Sequence, residues 1–416
     1  MSYLLIKNAA QLATPEGHSA SCGEEMSHLR VIADAAVLIE GEKILFVATT
    51  DEVEDYVTKN LPADSKITRY DASGKTVLPG FVDSHTHFVF GGYREHEFNL
   101  RLQGAGYMEI MKAGGGIAYS IAETSAASED ELYELAWQRL QRMLELGITT
   151  VEGKTGYGED TETEDKMLRV MERLDQDHPI DIVKTYMGAH AVPLNYHGGA
   201  SSYVDYLIAE GLPMAAGRAE FCDIFCEKDV FELEDSERLL LAAREQGFKL
   251  KLHADEIVQL GGAALAAKME ATSADHLLKS ADADLLAMRD AGTVATLLPC
   301  TAFSLKEDYA RGRFMIDNGL AVALASDLNP GSCYTQSVPL IIALATIYMG
   351  LSIEETITAL TLNGAAALDL ADSIGSIEAG KQADLILMDA PNYRHLSYHF
   401  AMNLLDTVVK KGIILN

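Results

Sequence analysis

The chain has 416 residues, 48% of them hydrophobic, and this length suits one large domain with a smaller one. Its formal net charge of −29 argues against nucleic acid or anionic lipid as a partner, since both would be repelled. The five cysteines are odd in number and scattered, and no leader or long apolar run stands out, so we expect a cytoplasmic protein without disulfides.

The first 75 residues contain short alternating segments separated by turns. Tyr3-Leu4-Leu5-Ile6 and Ala36-Val37-Leu38-Ile39 are examples, and Leu385-Ile386-Leu387-Met388 near the other end has the same character. Such segments are typical of β-strands in a small domain. We therefore predict that residues 1–75 and 375–416 pair into one small β-sandwich domain.

Residues 76–374 alternate apolar strands with amphipathic helices, the pattern of βα units in a parallel sheet. One helix is predicted over Glu129–Leu146, after Ser128 as its cap. Eight such units predict a (β/α)₈ barrel. The predicted strands are Val77–His87, Ile148–Glu152, Asp181–His190, Glu220–Glu227, Phe248–His253, Ala271–His276, Thr293–Leu298 and Ala321–Asp327.

Polar side chains collect at the carboxyl ends of these predicted strands, which form the active face of a (β/α)₈ barrel. Asp327 ends the eighth strand, and the alternation of small and large residues before it predicts that its side chain points into the barrel. Five of the twelve histidines fall at strand ends: His85, His87, His190, His253 and His276.

The spacing of His85 and His87 places both imidazoles on one side of a strand, where they can reach the same ion. His-x-His alone is a weak motif. His253 and Asp327 supply two more ligands, and this mixed set suits zinc or iron with a bound water whose pKa is lowered. Asp327 is also placed to accept the proton of that water.

His276 and Glu256 are the other candidates for acid–base chemistry. We interpret His276 as orienting the water or stabilising the attacked centre; the alternative is a core histidine bonded to Asp275 or to a carbonyl. Glu256, three residues after His253, could transfer protons to a ring nitrogen, and its alternative role is that of a carboxylate at a helix start.

Strand parity also produces a conflict. It places Lys249 and Lys251 on the same face as His253, which would bury two ammonium groups inside the barrel. Carboxylates such as Asp223 or Glu152 would have to pair with them.

Two further pairs of side chains have the chemistry of metal ligands. A carbamylated Lys154 or Lys184 could hold a second ion, but Lys184 comes early in its strand, so we predict a single metal. Cys222 and Cys226 lie in an alternating segment that separates them by roughly 13 Å. We interpret both as small core residues.

The strand-end motifs resemble those of the amidohydrolase superfamily and, more narrowly, of the imidazolonepropionase family, over nearly the whole chain. Several are typical of the narrower family. They are His85-Thr86-His87-Phe88-Val89-Phe90-Gly91-Gly92-Tyr93-Arg94, Gly114-Gly115-Gly116-Ile117, Lys154-Thr155-Gly156-Tyr157-Gly158, Gly188-Ala189-His190, His253-Ala254-Asp255-Glu256, Ser273-Ala274-Asp275-His276 and Ser326-Asp327-Leu328-Asn329-Pro330-Gly331-Ser332.

The resemblance implies one zinc or iron ion per subunit, a homodimer, and hydrolysis of 4-imidazolone-5-propanoate to N-formimidoyl-L-glutamate. It places the ion on His85, His87, His253 and Asp327. It also implies that the substrate contacts Arg94, Tyr157, His190 and Glu256, and that the product contacts Asn329, Gly331 and Ser332.

Each implied substrate contact has a chemical rationale. Arg94 offers a fork of donors to the propionate carboxylate, Tyr157 can bond a carboxylate or ring atom, and His190 can polarise the ring carbonyl. The alternatives are a surface ion pair of Arg94 with Glu95 or Glu97, and simple packing for Tyr157.

Two other functions are open to the same residues. A mononuclear deaminase acting on a cyclic amidine or a nucleobase would also use a glutamate three residues after the fifth-strand histidine. A non-catalytic assembly protein could keep the barrel, but we would expect it to have lost metal ligands.

Overall fold

The computed structural model describes residues 2–104, 115–193 and 196–415. Gly114, the first glycine of the Gly114-Gly115-Gly116 run, lies outside them. The described residues form two sheets of eight strands each. In this part of the chain no helix is long and apolar enough to cross a membrane.

The smaller sheet unites the two ends of the chain, as predicted. The long first strand, Ser2–Thr14, pairs antiparallel with Arg30–Glu40 and parallel with both Lys66–Asp71 and Thr76–Pro79. Leu385–Met388, from the other end of the chain, pairs antiparallel with Thr76–Pro79. Alternate side chains on its two faces form two separate apolar clusters. Its strands are β1 (Ser2–Thr14), β2 (Arg30–Glu40), β3 (Lys43–Thr49), β4 (Lys66–Asp71), β5 (Thr76–Pro79), β14 (Leu385–Met388), β15 (Leu405–Lys410) and β16 (Ile413–Leu415).

The larger sheet is the predicted barrel, with all neighbouring strands parallel. Its first and last strands meet at the carboxyl end, where the Asp327 amide donates to the His85 carbonyl at 3.0 Å. The strands are β6 (Phe81–Asp83), β7 (Ile148–Lys154), β8 (Asp181–Ala189), β9 (Phe221–Cys226), β10 (Lys249–Ala254), β11 (Ser273–His276), β12 (Val294–Leu297) and β13 (Val322–Leu324).

Helices surround the barrel and cover its apolar strands. The helix predicted after Ser128 spans Glu129–Leu144 and begins with a capping box between Ser128 and Glu131. The α-helices are Thr50–Asn60, Glu95–Leu102, Ile117–Ala126, Glu129–Leu144, Thr161–Asp177, Gly199–Tyr206, Leu212–Ala215, Leu233–Glu245, Gly262–Lys268, Asp282–Ala291, Pro299–Leu305, Gly312–Asp317, Val338–Ile347, Ile353–Leu360, Leu362–Ala366 and His395–Tyr398, with a 3-10 helix at Gly23–Ser27 and a π-helix at Leu207–Gly211.

The single strand predicted over Val77–His87 is wrong, because this segment serves both sheets. Thr76–Pro79 pairs within the small sheet and Phe81–Asp83 within the barrel. Gly80 stands between them, where a Cβ atom would collide with the side chain of Thr149. The division of the chain at residues 75/76 and 374/375 stays a prediction.

The conflict over the two lysines of β10 is resolved by their different depths. Lys251 is fully buried and donates to Glu152 at 2.9 Å. Lys249 lies at the exposed amino end of the strand and pairs with Asp369 at 2.5 Å. Cys222 and Cys226 are buried free thiols, which agrees with their interpretation as small core residues.

Candidate metal centre and adjoining pocket

Three histidines meet at the carboxyl end of the barrel. His85 and His87 follow β6, and His253 lies on β10; each offers a ring nitrogen, and these nitrogens lie within 4.8 Å of one another. Ligand atoms of His85, His276 and Asp327 satisfy the same limit. The structure therefore brings together all four residues expected to bind metal.

Unpaired nitrogens show that this cluster fits a metal ion. His85 Nε2 and His87 Nδ1 are buried and have no hydrogen-bond partner among the described residues. A buried polar atom without a partner costs about 1–3 kcal/mol, which metal coordination would offset. The chain has a histidine–aspartate metal-binding cluster.

Asp327 sits beside His85 in a constrained conformation. Its φ of 53° is in the left-handed region, and one of its carboxylate oxygens lies 3.5 Å from His85 Nε2. Thr301 donates to the other oxygen at 2.6 Å. Burial raises the pKa of Asp327 to about 6, although the Thr301 hydrogen bond acts to lower it. A carboxylate of this pKa can accept a proton near neutral pH.

Glu256 and His276 face each other across the barrel mouth, with Glu256 Oε1 3.6 Å from His276 Nδ1. Burial, with the nearby Asp327 charge, raises the pKa of Glu256 to about 8. His276 adopts a φ of 73° and does not bond Asp275, which accepts a hydrogen bond from His85 instead. Glu256 is thus a protonated acid at neutral pH beside a neutral imidazole.

A cavity of about 400 Å³ opens above these groups. Its size suits a small polar molecule rather than a polymer. The three candidate acid–base groups, Asp327, Glu256 and His276, line it, with the implied substrate contacts around them. The lining residues are His87, Arg94, Glu97, Arg101, Ile117, Tyr157, His190, Phe225, His253, Glu256, Ile257, His276, Leu305, Asp327, Asn329, Gly331 and Ser332.

Arg94 lines the same cavity. It does pair with Glu97, through Nε and Nη2 at 2.9 Å each, but both side chains are largely buried rather than on the surface. The other Glu97 oxygen accepts the Gly116 amide at 3.0 Å. A Cβ at Gly331 would lie 2.5 Å from Arg94 Nη1, so a larger residue there would push the end of the arginine side chain aside. Arg94 therefore keeps a donor edge beside the cavity.

Tyr157 and His190 form an aromatic wall with His87. The ring centroids of His190 and His87 are 5.0 Å apart and nearly parallel, and Tyr157 meets His190 edge-on. His190 Nδ1 lies 3.0 Å from the Gly156 carbonyl, which can only accept, so Nδ1 carries the proton. Burial lowers the pKa of His190 to about 3. The neutral ring offers the cavity a lone pair on Nε2, which accepts an N–H more readily than it polarises a carbonyl.

Asn329 organises the loop between Asp327 and Ser332. Its Oδ1 accepts the amides of Gly331 and Ser332 at 2.8 Å each, and its Nδ2 donates to the Asp327 carbonyl at 2.8 Å. The loop thus holds Gly331 against Arg94 while tying it to the metal-binding aspartate.

Two contributors to the site, Arg101 and Thr301, were missed from the sequence. Arg101 follows Arg94 by seven residues, two helical turns, and this spacing could have revealed it. Thr301 acts through a contact between different elements that no local pattern signals. Glu97 and Asp275 were named only as alternative partners of Arg94 and His276.

Comparison with known proteins identifies the family to which the chain belongs. Residues 76–415 match the amidohydrolase family model. The Clostridium tetani protein named imidazolonepropionase is 54% identical over 413 residues, covering 99% of this chain and 97% of its own. A Parabacteroides distasonis protein of the same name is 54% identical over 415 residues, covering 99% and 98%.

Solved structures share the fold at low sequence identity. A triazine hydrolase variant superposes with a TM-score of 0.76 at 18% identity, covering 100% of this chain and 95% of its own. Zinc-bound atrazine chlorohydrolase from Arthrobacter aurescens gives 0.71 at 17% identity, covering 99% and 95%. The chain therefore belongs to the amidohydrolase family, and within it to the group whose curated members are named imidazolonepropionase.

Proposed function

We propose that the chain hydrolyses 4-imidazolone-5-propanoate to N-formimidoyl-L-glutamate, a step of histidine breakdown. Water adds to the ring carbonyl carbon, the ring C–N bond breaks, and the ring nitrogen takes up a proton. The observation that carries this proposal is the polarity of the cavity. Its lining combines acid–base groups and metal-binding residues with the guanidinium of Arg94, a cation suited to a carboxylate.

One zinc or iron ion per subunit would be held by His85, His87, His253 and Asp327. Such an ion supplies Lewis acidity and lowers the pKa of water toward about 7. The buried, unpaired His85 Nε2 and His87 Nδ1 support this assignment.

The proton transfers are assigned to the carboxyl groups. Asp327, whose pKa is raised to about 6, takes the proton of the attacking water. Glu256, protonated at neutral pH, gives its proton to the departing ring nitrogen. His276, 3.6 Å from Glu256, assists by holding that carboxyl toward the cavity.

Substrate binding is assigned to Arg94, Tyr157 and His190. Arg94 pairs with the propionate carboxylate through its free edge, and Tyr157 closes the pocket beside it. His190 accepts a ring N–H at Nε2 in its neutral form; polarising the ring carbonyl would require the imidazolium. After ring opening, the product is held by the loop of Asn329, Gly331 and Ser332.

The test is turnover of 4-imidazolone-5-propanoate by the purified metal-loaded protein. We expect formation of N-formimidoyl-L-glutamate without ammonia. Absence of product from protein that carries its metal would contradict the proposal, whereas release of ammonia from a cyclic amidine or nucleobase would favour the deaminase alternative.

Location and assembly complete the proposal. Five free cysteines, four of them buried, support a cytoplasmic location where thiols stay reduced. We also propose that the chain forms a homodimer, as the family resemblance implies, and light scattering of the purified protein tests this.

A further inference from the structure

Five charged side chains fill the barrel directly beneath the candidate metal centre. They are three carboxylates and two ammonium groups, all fully buried. Buried charges at such density require mutual pairing. The five residues, called here the charged floor, are Glu152, Lys154, Asp223, Lys251 and Asp275.

Each ammonium group of the charged floor meets more than one carboxylate. Lys154 Nζ lies 2.7 Å from Asp223 Oδ2, 3.0 Å from Glu152 Oε2 and 3.6 Å from Asp275 Oδ2. Lys251 Nζ lies 2.9 Å from Glu152 and 3.9 Å from Asp275, and it donates to the Ser84 carbonyl at 2.9 Å.

The same carboxylate oxygens face the metal-binding histidines. Asp275 Oδ2 accepts from His85 Nδ1 at 2.6 Å, and Asp223 Oδ2 lies 3.0 Å from His253 Nδ1. Asp275 thereby occupies Nδ1 of His85 and leaves its Nε2 for a metal, while Asp223 makes an ion-pair contact with Nδ1 of His253 without the geometry of a hydrogen bond. Lys154 stands between the two oxygens, so one ammonium group touches the supports of two ligands.

Two residues of the charged floor form, together with His85, a second group of potential metal ligands. Donor atoms of His85, Glu152 and Asp275 lie within 4.8 Å of one another, a spacing that a cation could use. Two ammonium groups already lie within 4.0 Å of both carboxylates. A second divalent ion would have to displace them against Coulomb repulsion.

We propose that Asp223 and Asp275 are positioning residues that orient His253 and His85 toward the metal, and that Lys154 holds both carboxylates in place while excluding a second ion. This inference builds on the metal-dependent function proposed above. It assigns Lys154 as an ammonium group rather than a carbamylated ligand.

Metal affinity tests the two aspartates. Metal-free Asp223→Asn and Asp275→Asn proteins are titrated with Zn²⁺ against a competing chelator. We expect each Kd to rise by roughly 10–100-fold, the usual effect of losing such a carboxylate. Glu355→Gln is the matched control, since Glu355 is also buried and ion-paired, but with Arg313 among the surrounding helices. Wild-type affinity in both aspartate variants would overturn the assignment.

A double-mutant cycle tests the lysine. If Lys154→Met acts through Asp275, it should raise the Kd for zinc by a smaller factor in the Asp275→Asn protein than in the wild type. If the two substitutions instead raise the Kd by independent factors, this part of the proposal is overturned. Lys251→Met, whose lysine lies farther from Asp275, should weaken zinc less than Lys154→Met does.

Two further measurements distinguish a change in ligand positions from a loss of folding. Circular dichroism of the metal-free variants establishes that they are folded, and the visible absorption of Co²⁺-loaded protein reports ligand geometry. We expect an altered Co²⁺ spectrum in folded Asp275→Asn and one bound ion in the wild type; an unaltered spectrum or two ions would contradict the inference. Zinc affinity is measured without substrate, so failure to hydrolyse imidazolonepropionate would leave this test standing.

Discussion

Arg94 shows how one side chain can have a structural and a binding partner at once. Glu97 takes two of its nitrogens, and Gly331 leaves room for a third. A lysine could not keep the ion pair with Glu97 and still present a planar donor edge. Arg94→Lys is therefore expected to behave more like a loss than a conservative change.

Substituting Arg94 tests carboxylate recognition. Arg94→Ala removes a charge-assisted contact, so we expect KM for imidazolonepropionate to rise roughly 10–100-fold with a smaller change in kcat. Steady-state kinetics provide the measurement, and Arg173→Ala, an exposed arginine on the Thr161–Asp177 helix, is the control. An unchanged KM would remove Arg94 from the binding site.

The raised pKa of Glu256 predicts a pH dependence. Its carboxyl is protonated below about 8, so an activity that needs this proton declines as pH rises through that value. Glu256→Gln should lower kcat by roughly 10²–10⁴-fold and lose the decline. Profiles of kcat from pH 6 to 10 for both proteins decide this, and a decline that persists in the variant would assign it to another group.

The inward direction of individual ligands was predictable, whereas their supports were not. Parity along Ala321–Asp327 predicted that Asp327 points inward, although β13 ends at Leu324 and Asp327 itself has a left-handed φ of 53°. The hydrogen bond from His85 to Asp275 joins residues 190 positions apart, and no local pattern encodes it. The long-range contacts that hold a ligand become visible only once the barrel has been built.

At the scale of elements, the loop that carries Tyr157 is held by the helix that follows it. Glu164, on the Thr161–Asp177 helix, accepts the amides of Gly156 at 3.0 Å and Gly158 at 2.7 Å. The same loop supplies the Gly156 carbonyl that bonds His190. One buried glutamate thus sets the position of two pocket side chains.

Removing this support tests its effect on binding. Glu164→Ala leaves two amides without an acceptor, and we expect it to raise KM by roughly tenfold and to destabilise the fold by about 1–3 kcal/mol. Glu162→Ala, an exposed glutamate on the same helix, should change neither. Kinetics with chemical denaturation supply both values, and equal behaviour of the two variants would contradict the assigned support.

Strand number and order were predictable from the alternation of apolar segments and helices, but the first boundary was not. Val77 through His87 looks continuous because both sheets require apolar residues there. The pairing of Thr76–Pro79 in one sheet and of Phe81–Asp83 in the other shows that the chain changes sheet at Gly80. Hydrophobic patterning indicates that a residue is buried, but it does not indicate which of the two sheets buries it.

At the scale of the whole molecule, metal should contribute to stability as well as to chemistry. The centre joins β6, β10 and the segment after β13, so an ion there cross-links distant parts of the barrel. A ligand at 100 times its Kd adds about 2.7 kcal/mol to the free energy of unfolding.

Chelation measures this contribution. We expect chelator treatment to abolish turnover and to lower Tm, and stoichiometric Zn²⁺ or Fe²⁺ to restore both. His87→Ala, which removes a ligand, should show a Tm that responds little to either metal. A Tm unaffected by chelation in fully demetallated wild-type protein would exclude a structural contribution of the ion.

The change of sheet at Gly80 has a consequence for biosynthesis. β5 leads through Gly80 into the strand that presents His85 and His87, and it pairs with β14, which the ribosome makes only after the whole barrel. β5, which leads into this strand, already has β1 beside it but lacks its second neighbour until Leu385–Met388 has emerged. Tight metal loading should follow chain completion, so that nascent chains leave the cellular metal pool untouched.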